Sequence, residues 1–307
     1  MARLRIAHFS DTHVLSIKGT TLRQFLNKRF TGGVNLLFNR AKHYRVEVFE
    51  ALLDAVIEAK PDHSLCTGDL VNLALAPEFE RVNELLSSRF TDASLTLVPG
   101  NHDYYTKEAA LAGDFEQTFH SYLPNELNLR VQDTHYPVSR IIGEVCVIGA
   151  STAIPTPSFM ATGEIGEAQR KQIAQGISMA RAQSLFPLLM LHHPLFPEPK
   201  RRLDQTRRLK DADELMALID HPDCAPDLII HGHNHEYKRQ ALPRSGAPVL
   251  QVGSASRSGR KRAEFHIYEI EDGQLKAVER HIHDPEQGLF IPHNESGEPI
   301  KVEERSA

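Results

Sequence analysis

Little in this chain suggests a membrane, secreted or nucleic-acid-binding protein. No apolar run is long enough to cross a bilayer, which argues against a transmembrane span. Residues Met1 to Ala7 lead straight into a polar motif and leave no room for the apolar core of a signal peptide, so a cytoplasmic location is expected. The three cysteines (Cys66, Cys146, Cys224) are an odd number without metal-site spacing, and two sit in apolar, strand-like runs. They read as reduced thiols packed as small hydrophobes. A formal charge of -5 offers no global attraction to nucleic acid. No internal repeat and no long Gly/Ser- or Pro-rich linker separates halves, and 307 residues suffice for one large core.

Histidine, by contrast, is abundant. There are 17, several in tight groups beside glycine, asparagine or aspartate. Imidazole ligates metals and carries protons near neutral pH, so the excess points to chemistry.

Polarity alternates over residues 3–9 and predicts a strand ending at Ser10-Asp11-Thr12-His13. Over 47–59, Val48, Leu52 and Val56 with Phe49, Leu53 and Ile57 recur at helical spacing until Pro61. A strand over 63–67 then ends at Gly68-Asp69, a helix over 77–89 follows, and a strand over 94–98 ends at Pro99-Gly100-Asn101-His102-Asp103. Further strands are expected at 145–148, 186–191, 228–230 and 249–252, with helices over 165–181 and from 211. Asp211-Ala212-Asp213-Glu214 has the spacing of a capping box, and His221-Pro222 would close that helix. Asp272-Gly273 marks a hairpin turn. A single domain over 1–283 with a polar tail over 284–307 is expected.

Five clusters of metal-capable side chains each follow a predicted strand: Asp11 and His13; Asp69; Asn101 and His102; His192 and His193; His231, His233 and His235. Sites in open α/β sheets form at the carboxyl ends of strands, so loops distant in sequence converge there. Mixed oxygen and nitrogen donors suit Mn, Fe, Co or Zn, whereas an all-oxygen set would suit magnesium or calcium. Residues two apart on an extended segment share a face, so Asp11 with His13, and His233 with His235, are each expected to bind together. Gly68, Gly100 and Gly232 each precede a candidate ligand, where a missing side chain lets backbone approach closely.

In order and spacing, Asp11-Thr12-His13, Gly68-Asp69, Gly100-Asn101-His102-Asp103, His192 and Gly232-His233-Asn234-His235 resemble the signature of the calcineurin-like metallophosphoesterase superfamily. The likeness runs from about residue 3 to 252, and is greatest to the bacterial branch containing class III cyclic-nucleotide phosphodiesterases. It implies a four-layer α-β-β-α sandwich with two mixed sheets face to face. It also implies two divalent ions: Asp11, His13 and His235 would hold one, Asn101, His192 and His233 the other, with Asp69 bridging both. His192 is the implied ligand of its pair because the family's histidine stands two residues before a proline, here Pro194; His231 is then structural. A hydroxide bridging the cations would attack phosphorus, with no side-chain nucleophile required. His102 would act as general acid or stabilise charge on the leaving oxygen, oriented by Asp103.

The segment 18–45 interleaves Lys18, Arg23, Lys28, Arg29, Arg40, Lys42 and Arg45 with leucine and phenylalanine. It reads either as an amphipathic element packed on the core or as a basic cap over the cleft. Two more basic clusters, at 200–210 and 257–262, supply Arg201 and Arg257, which with His193 are candidate contacts for a substrate phosphate. The expected reaction is hydrolysis of a small phosphodiester such as a cyclic nucleotide. A phosphomonoesterase or nuclease could use the same core, and a fold retained as a non-catalytic interaction scaffold is the rival from another class. All seven implied ligands and His102 are present, which favours an enzyme.

Overall fold

A computed structural model of the chain describes residues 3–21, 29, 44–197, 204–259 and 261–300. Six strands form a first sheet: β1 (Leu4–Phe9), β2 (His63–Cys66), β3 (Leu95–Leu97), β10 (Glu264–Glu271), β11 (Gln274–Asp284) and β12 (Leu289–His293), in the order β12-β11-β10-β1-β2-β3. A second holds β4 (Val138–Ile142), β5 (Val145–Gly149), β6 (Phe186–Met190), β7 (Leu228–His231), β8 (Lys238–Ala241) and β9 (Pro248–Gln251), in the order β4-β5-β6-β7-β9-β8. Both are mixed. β1, β2 and β3 run parallel in the first, and β5, β6, β7 and β9 in the second.

The apolar pattern of the strands dictates the layering. Val145 and Val147 of β5 join the core that includes Ile6, Phe9 and Leu95 of the first sheet, whereas Cys146 and Ile148 face a second core. β6 divides the same way, with Leu188 and Met190 against Leu189. Successive side chains alternate between faces, so a strand apolar at every position must be covered on both sides. Helix α5 (Glu167–Ala182) covers the outer face with Ile173, Ile177 and Ala180, and α6 (Ala212–Ile219) with Leu215 and Ile219. Across the molecule, α1 (Val46–Glu58) packs against β10 and β12 and buries Phe49, Leu52, Leu53 and Val56, one face at 3.6 periodicity. Each such side chain contributes about 1.5–3 kcal/mol on full burial. The remaining helices are α2 (Ala76–Ser87), α3 (Lys107–Ala112) and α4 (Asp114–Phe119). The four-layer arrangement with two mixed sheets is the expected one. No helix among the described residues is long and apolar enough to cross a membrane.

Two expectations change. The tail anticipated from 284 contains β12, which pairs antiparallel with β11 from Arg280↔His293 to Asp284↔Leu289 and so extends the first sheet. The capping box at Asp211 does not form: its carboxylate instead accepts N–H groups of Ile165 and Gly166 and pairs with Arg170, tying α6 to the start of α5. Of the proposed cap over 18–45, residues 22–28 and 30–43 lie outside the described residues. Arg29 is buried there and donates to the carbonyls of Leu73 and Ala74, which places its charge in packing.

Candidate metal centre

Five strand exits meet at one edge of the sandwich. β1 leads to Asp11–His13, β2 to Asp69, β3 to Asn101–Asp103, β6 to His192–His193 and β7 to Gly232–His235. Backbone bonds splice the exits: Asp11 N–H donates to the Gly68 carbonyl (2.9 Å), His13 N–H to Asp69 (3.0 Å) and Gly232 N–H to His192 (3.2 Å). Two further bonds cross between sheets. His192 Nδ1–H donates to the Thr67 carbonyl at 2.7 Å, and Asp11 Oδ2 accepts from His233 N–H at 2.9 Å.

The side chains collect in two adjoining groups. Asp11, His13, Asp69 and His235 each offer a ligand atom within 4.8 Å of the others, and so do His192, His193 and His233. His235 Nε2 is 3.0 Å from Asp11 Oδ1 and 3.1 Å from His13 Nε2, while His192 Nε2 is 3.1 Å from His233 Nδ1. Asp69 stands between the groups, with Oδ2 3.8 Å from His13 Nε2 and 3.4 Å from His192 Nε2. Its Oδ1 accepts the His102 N–H at 2.7 Å.

Asp11 Oδ1, Asn101 Oδ1 and His233 Nε2 are buried without a hydrogen-bond partner. Stranding a buried polar atom costs about 1–3 kcal/mol, so their concentration marks a place whose partner is not a protein group. Carboxylate and amide oxygens with imidazole nitrogens fit divalent transition metals. Charge agrees. Burial alone would raise the Asp69 carboxyl pKa, but His192, His102 and His13 hold it well below the usual range. Burial lowers the His192 imidazole, yet Asp69 reverses this and raises it to about 9, so a positive charge is favoured beside Asp69. His233 is pushed well down by burial and then by Arg207, which keeps its ring neutral and its lone pair available.

The backbone is strained at the same residues. Asp11 (φ 57°), His13 (45°), Asp69 (54°), His233 (76°) and His235 (56°) all occupy the left-handed region. Each such residue costs about 1–3 kcal/mol and clusters of them mark functional sites. The extended-segment expectation does not hold for all of them: His233 and His235 go one to each group, while Asp11 and His13 stay together. The exits also approach so closely that a Cβ on Gly232 would overlap Ser10 Oγ and Asp11 Oδ2.

His102 donates Nδ1–H to the Asn72 carbonyl at 2.6 Å, and its ring packs on Tyr105 and edge-on to His13. The Asp103 carboxylate accepts the N–H groups of Leu70, Val71 and Gly100 (2.9, 3.1 and 2.8 Å), pinning the β2 and β3 exits together, while the Nδ1–H of His102 is held by Asn72. His193 is likewise a structural tie: Nδ1 accepts from the Thr152 hydroxyl (2.7 Å) and Nε2–H donates to the Ala161 carbonyl (3.2 Å), leaving neither nitrogen for a phosphate. Arg201 lies outside the described residues, and Arg257 forms a backbone bridge with Tyr44. Tyr44 itself carries no motif signal, yet its hydroxyl is 2.9 Å from His235 Nδ1. Arg207, from the 200–210 cluster, reaches the His233 carbonyl at 3.3 Å. His231 bonds the Gly232 carbonyl and is structural.

The model of the family described as calcineurin-like phosphoesterase matches residues 4–237, which include every ligand candidate. The chain belongs to that family. The matched residues carry both of these ligand groups. Solved structures share the fold. A purple acid phosphatase from yellow lupin (Lupinus luteus) seeds is similar with a TM-score of 0.60 at 12% identity, covering 95% of this chain and 53% of that one. TT1561 of Thermus thermophilus has a TM-score of 0.50 at 12% identity, covering 92% and 99%. The Haemophilus influenzae NAD nucleotidase has a TM-score of 0.50 at 11% identity, covering 99% and 54%. This phosphoesterase therefore spans about half the length of the lupin phosphatase and of the nucleotidase. No curated protein matches its sequence.

Proposed function

We propose that the chain hydrolyses a small phosphodiester with two divalent cations, Asp11, His13, Asp69 and His235 holding one and Asp69, Asn101, His192 and His233 the other. The observation that carries this reading is Asp69 Oδ2 standing 3.8 Å from His13 Nε2 and 3.4 Å from His192 Nε2, between two groups of carboxylate and imidazole donors. Paired cations of Mn, Fe, Zn or Co type, when bound, lower the pKa of water and polarise phosphoryl oxygens.

The protein's own part is proton and position. His102 Nδ1 is committed to the Asn72 carbonyl, so Nε2 is the nitrogen that passes a proton to the leaving oxygen. Alkoxides are strongly basic leaving groups, and a diester without an activated alcohol depends on such a donor. The histidine after Asn101 in the Gly100-Asn101-His102-Asp103 run supplies that donor.

The test is a screen of the manganese-reconstituted protein on bis(p-nitrophenyl) phosphate, p-nitrophenyl phosphate, cyclic nucleotides and glycerophosphodiesters. Diesters are expected to be turned over with the higher kcat/KM. A preference for the monoester overturns the choice of substrate, and no turnover on any of them overturns the enzyme.

A further inference from the structure

A cavity of about 830 Å³ opens against His13 and Asn72, the residues that join the first ligand group to the His102 carbonyl partner. That volume lies within the roughly 300–1,000 Å³ of small-molecule sites and far exceeds what a phosphate needs. Its walls have two origins. One is α1, which contributes Val48 and Ala51; the other is the end of β11 with the turn to β12, which contributes His283, Pro285 and Gly288. The family match ends at residue 237, so the second wall lies outside the part of the chain shared with the family. Tyr44 spans cavity and ligand group, lining the first while its hydroxyl reaches His235 Nδ1 at 2.9 Å.

The chemistry of the lining is selective. Among the described lining residues Arg45 and Glu47 bring one charge of each sign, with no excess to draw an ionic group. Leu15, Val48, Ala51 and Pro285 offer apolar surface, and two aromatic residues, Tyr44 and His283, complete the lining. Apolar surface with a few polar groups suits an uncharged organic moiety with a planar part.

Building on the phosphodiesterase reading, we propose that this cavity binds one ester substituent of the substrate, an uncharged group of aryl or nucleoside size, and that the β11–β12 turn sets this preference. Methyl and other very small substituents would leave the walls unfilled.

The test is calorimetric binding of methyl phosphate, phenyl phosphate and adenosine 5′-monophosphate to the full chain loaded with manganese. Phenyl phosphate and adenosine 5′-monophosphate are expected to bind about tenfold more tightly than methyl phosphate, which is about 1.4 kcal/mol. Ala51→Phe, which fills the cavity from a half-buried helix position, is expected to abolish that gap while methyl phosphate binds within about twofold of wild type. His283→Ala is expected to narrow it about threefold. Equal affinities in the wild type overturn the proposal, as does a gap that survives Ala51→Phe. Should Ala51→Phe lose methyl phosphate binding altogether, the decision falls to His283→Ala, where an unchanged gap overturns it. The gap without diester turnover sinks the catalytic reading alone; turnover without the gap sinks the cavity alone.

Discussion

His102 Nδ1 lies 2.6 Å from the Asn72 carbonyl oxygen, and because a carbonyl can only accept, Nδ1 carries the hydrogen and a proton given up at the site would come from Nε2. The contact ties the candidate proton donor to the loop after β2, beside the Asp69 carboxylate that accepts its backbone N–H.

His102→Ala should therefore lower kcat by about 10²–10⁴-fold while the protein keeps its metal. The loss should be larger for alkyl than for p-nitrophenyl leaving groups, since p-nitrophenolate departs without a proton. Steady-state kinetics beside metal analysis decides; a variant stripped of metal, or one with undiminished turnover of alkyl esters, contradicts the assignment.

Asp103 should behave as a fastener. Asp103→Ala leaves the N–H groups of Leu70, Val71 and Gly100 without their acceptor, at about 1–3 kcal/mol for each buried group. A clear fall in thermal stability is expected, with Asp103→Asn recovering part of it through its one remaining oxygen. Unchanged unfolding with an altered pH-rate profile would instead give Asp103 a part in proton transfer.

Gly232→Ala tests how closely the exits pack. The added methyl would overlap Ser10 Oγ and Asp11 Oδ2, so it should displace a candidate ligand and cost about 1–3 kcal/mol. Metal bound per chain should fall along with the unfolding midpoint. Full metal content at wild-type stability would show that the loops have room to spare.

Glu78, at the start of α2, gives a pH dependence from the loop that follows β2. Burial raises its carboxyl from 4.5 to about 8, against opposing bonds from the backbone of Leu75 and Leu73. The folded state thus holds a proton that the unfolded chain releases above 4.5, so stability falls as pH rises from 4.5 to about 8. Glu78→Gln, which resembles the protonated acid, should flatten that slope and stabilise the protein by about 2 kcal/mol at the alkaline end. Chemical denaturation across this range is the measurement; parallel slopes for the two proteins would refute it.

Much of this architecture could be read in advance because apolar runs end abruptly at Asp, Gly or His. β6 and β7 are apolar on both faces, and the Asp272-Gly273 turn joins β10 to β11 with both residues at positive φ, 52° and 65°. β8 and β12 escaped because they are short, half-exposed edge strands whose pairing comes from a neighbour and not from their own pattern. At the site, the ligand types were legible but their directions were not. Strand periodicity cannot foresee five left-handed residues, and it assigned His233 and His235 to one group when they serve two. Tyr44 and the Asn72 carbonyl were invisible for a simpler reason: a hydroxyl and a backbone oxygen far away in sequence leave no motif.

The central claim is that Asp69 joins two metal positions, and cation stoichiometry tests it most directly. Calorimetric titration of the metal-stripped protein with manganese, followed in parallel by bis(p-nitrophenyl) phosphate turnover, should saturate at two cations per chain. Turnover should follow the second cation, and Asp69→Asn should lose both events. Saturation at one cation with full turnover, or two-cation binding untouched by Asp69→Asn, would contradict the account.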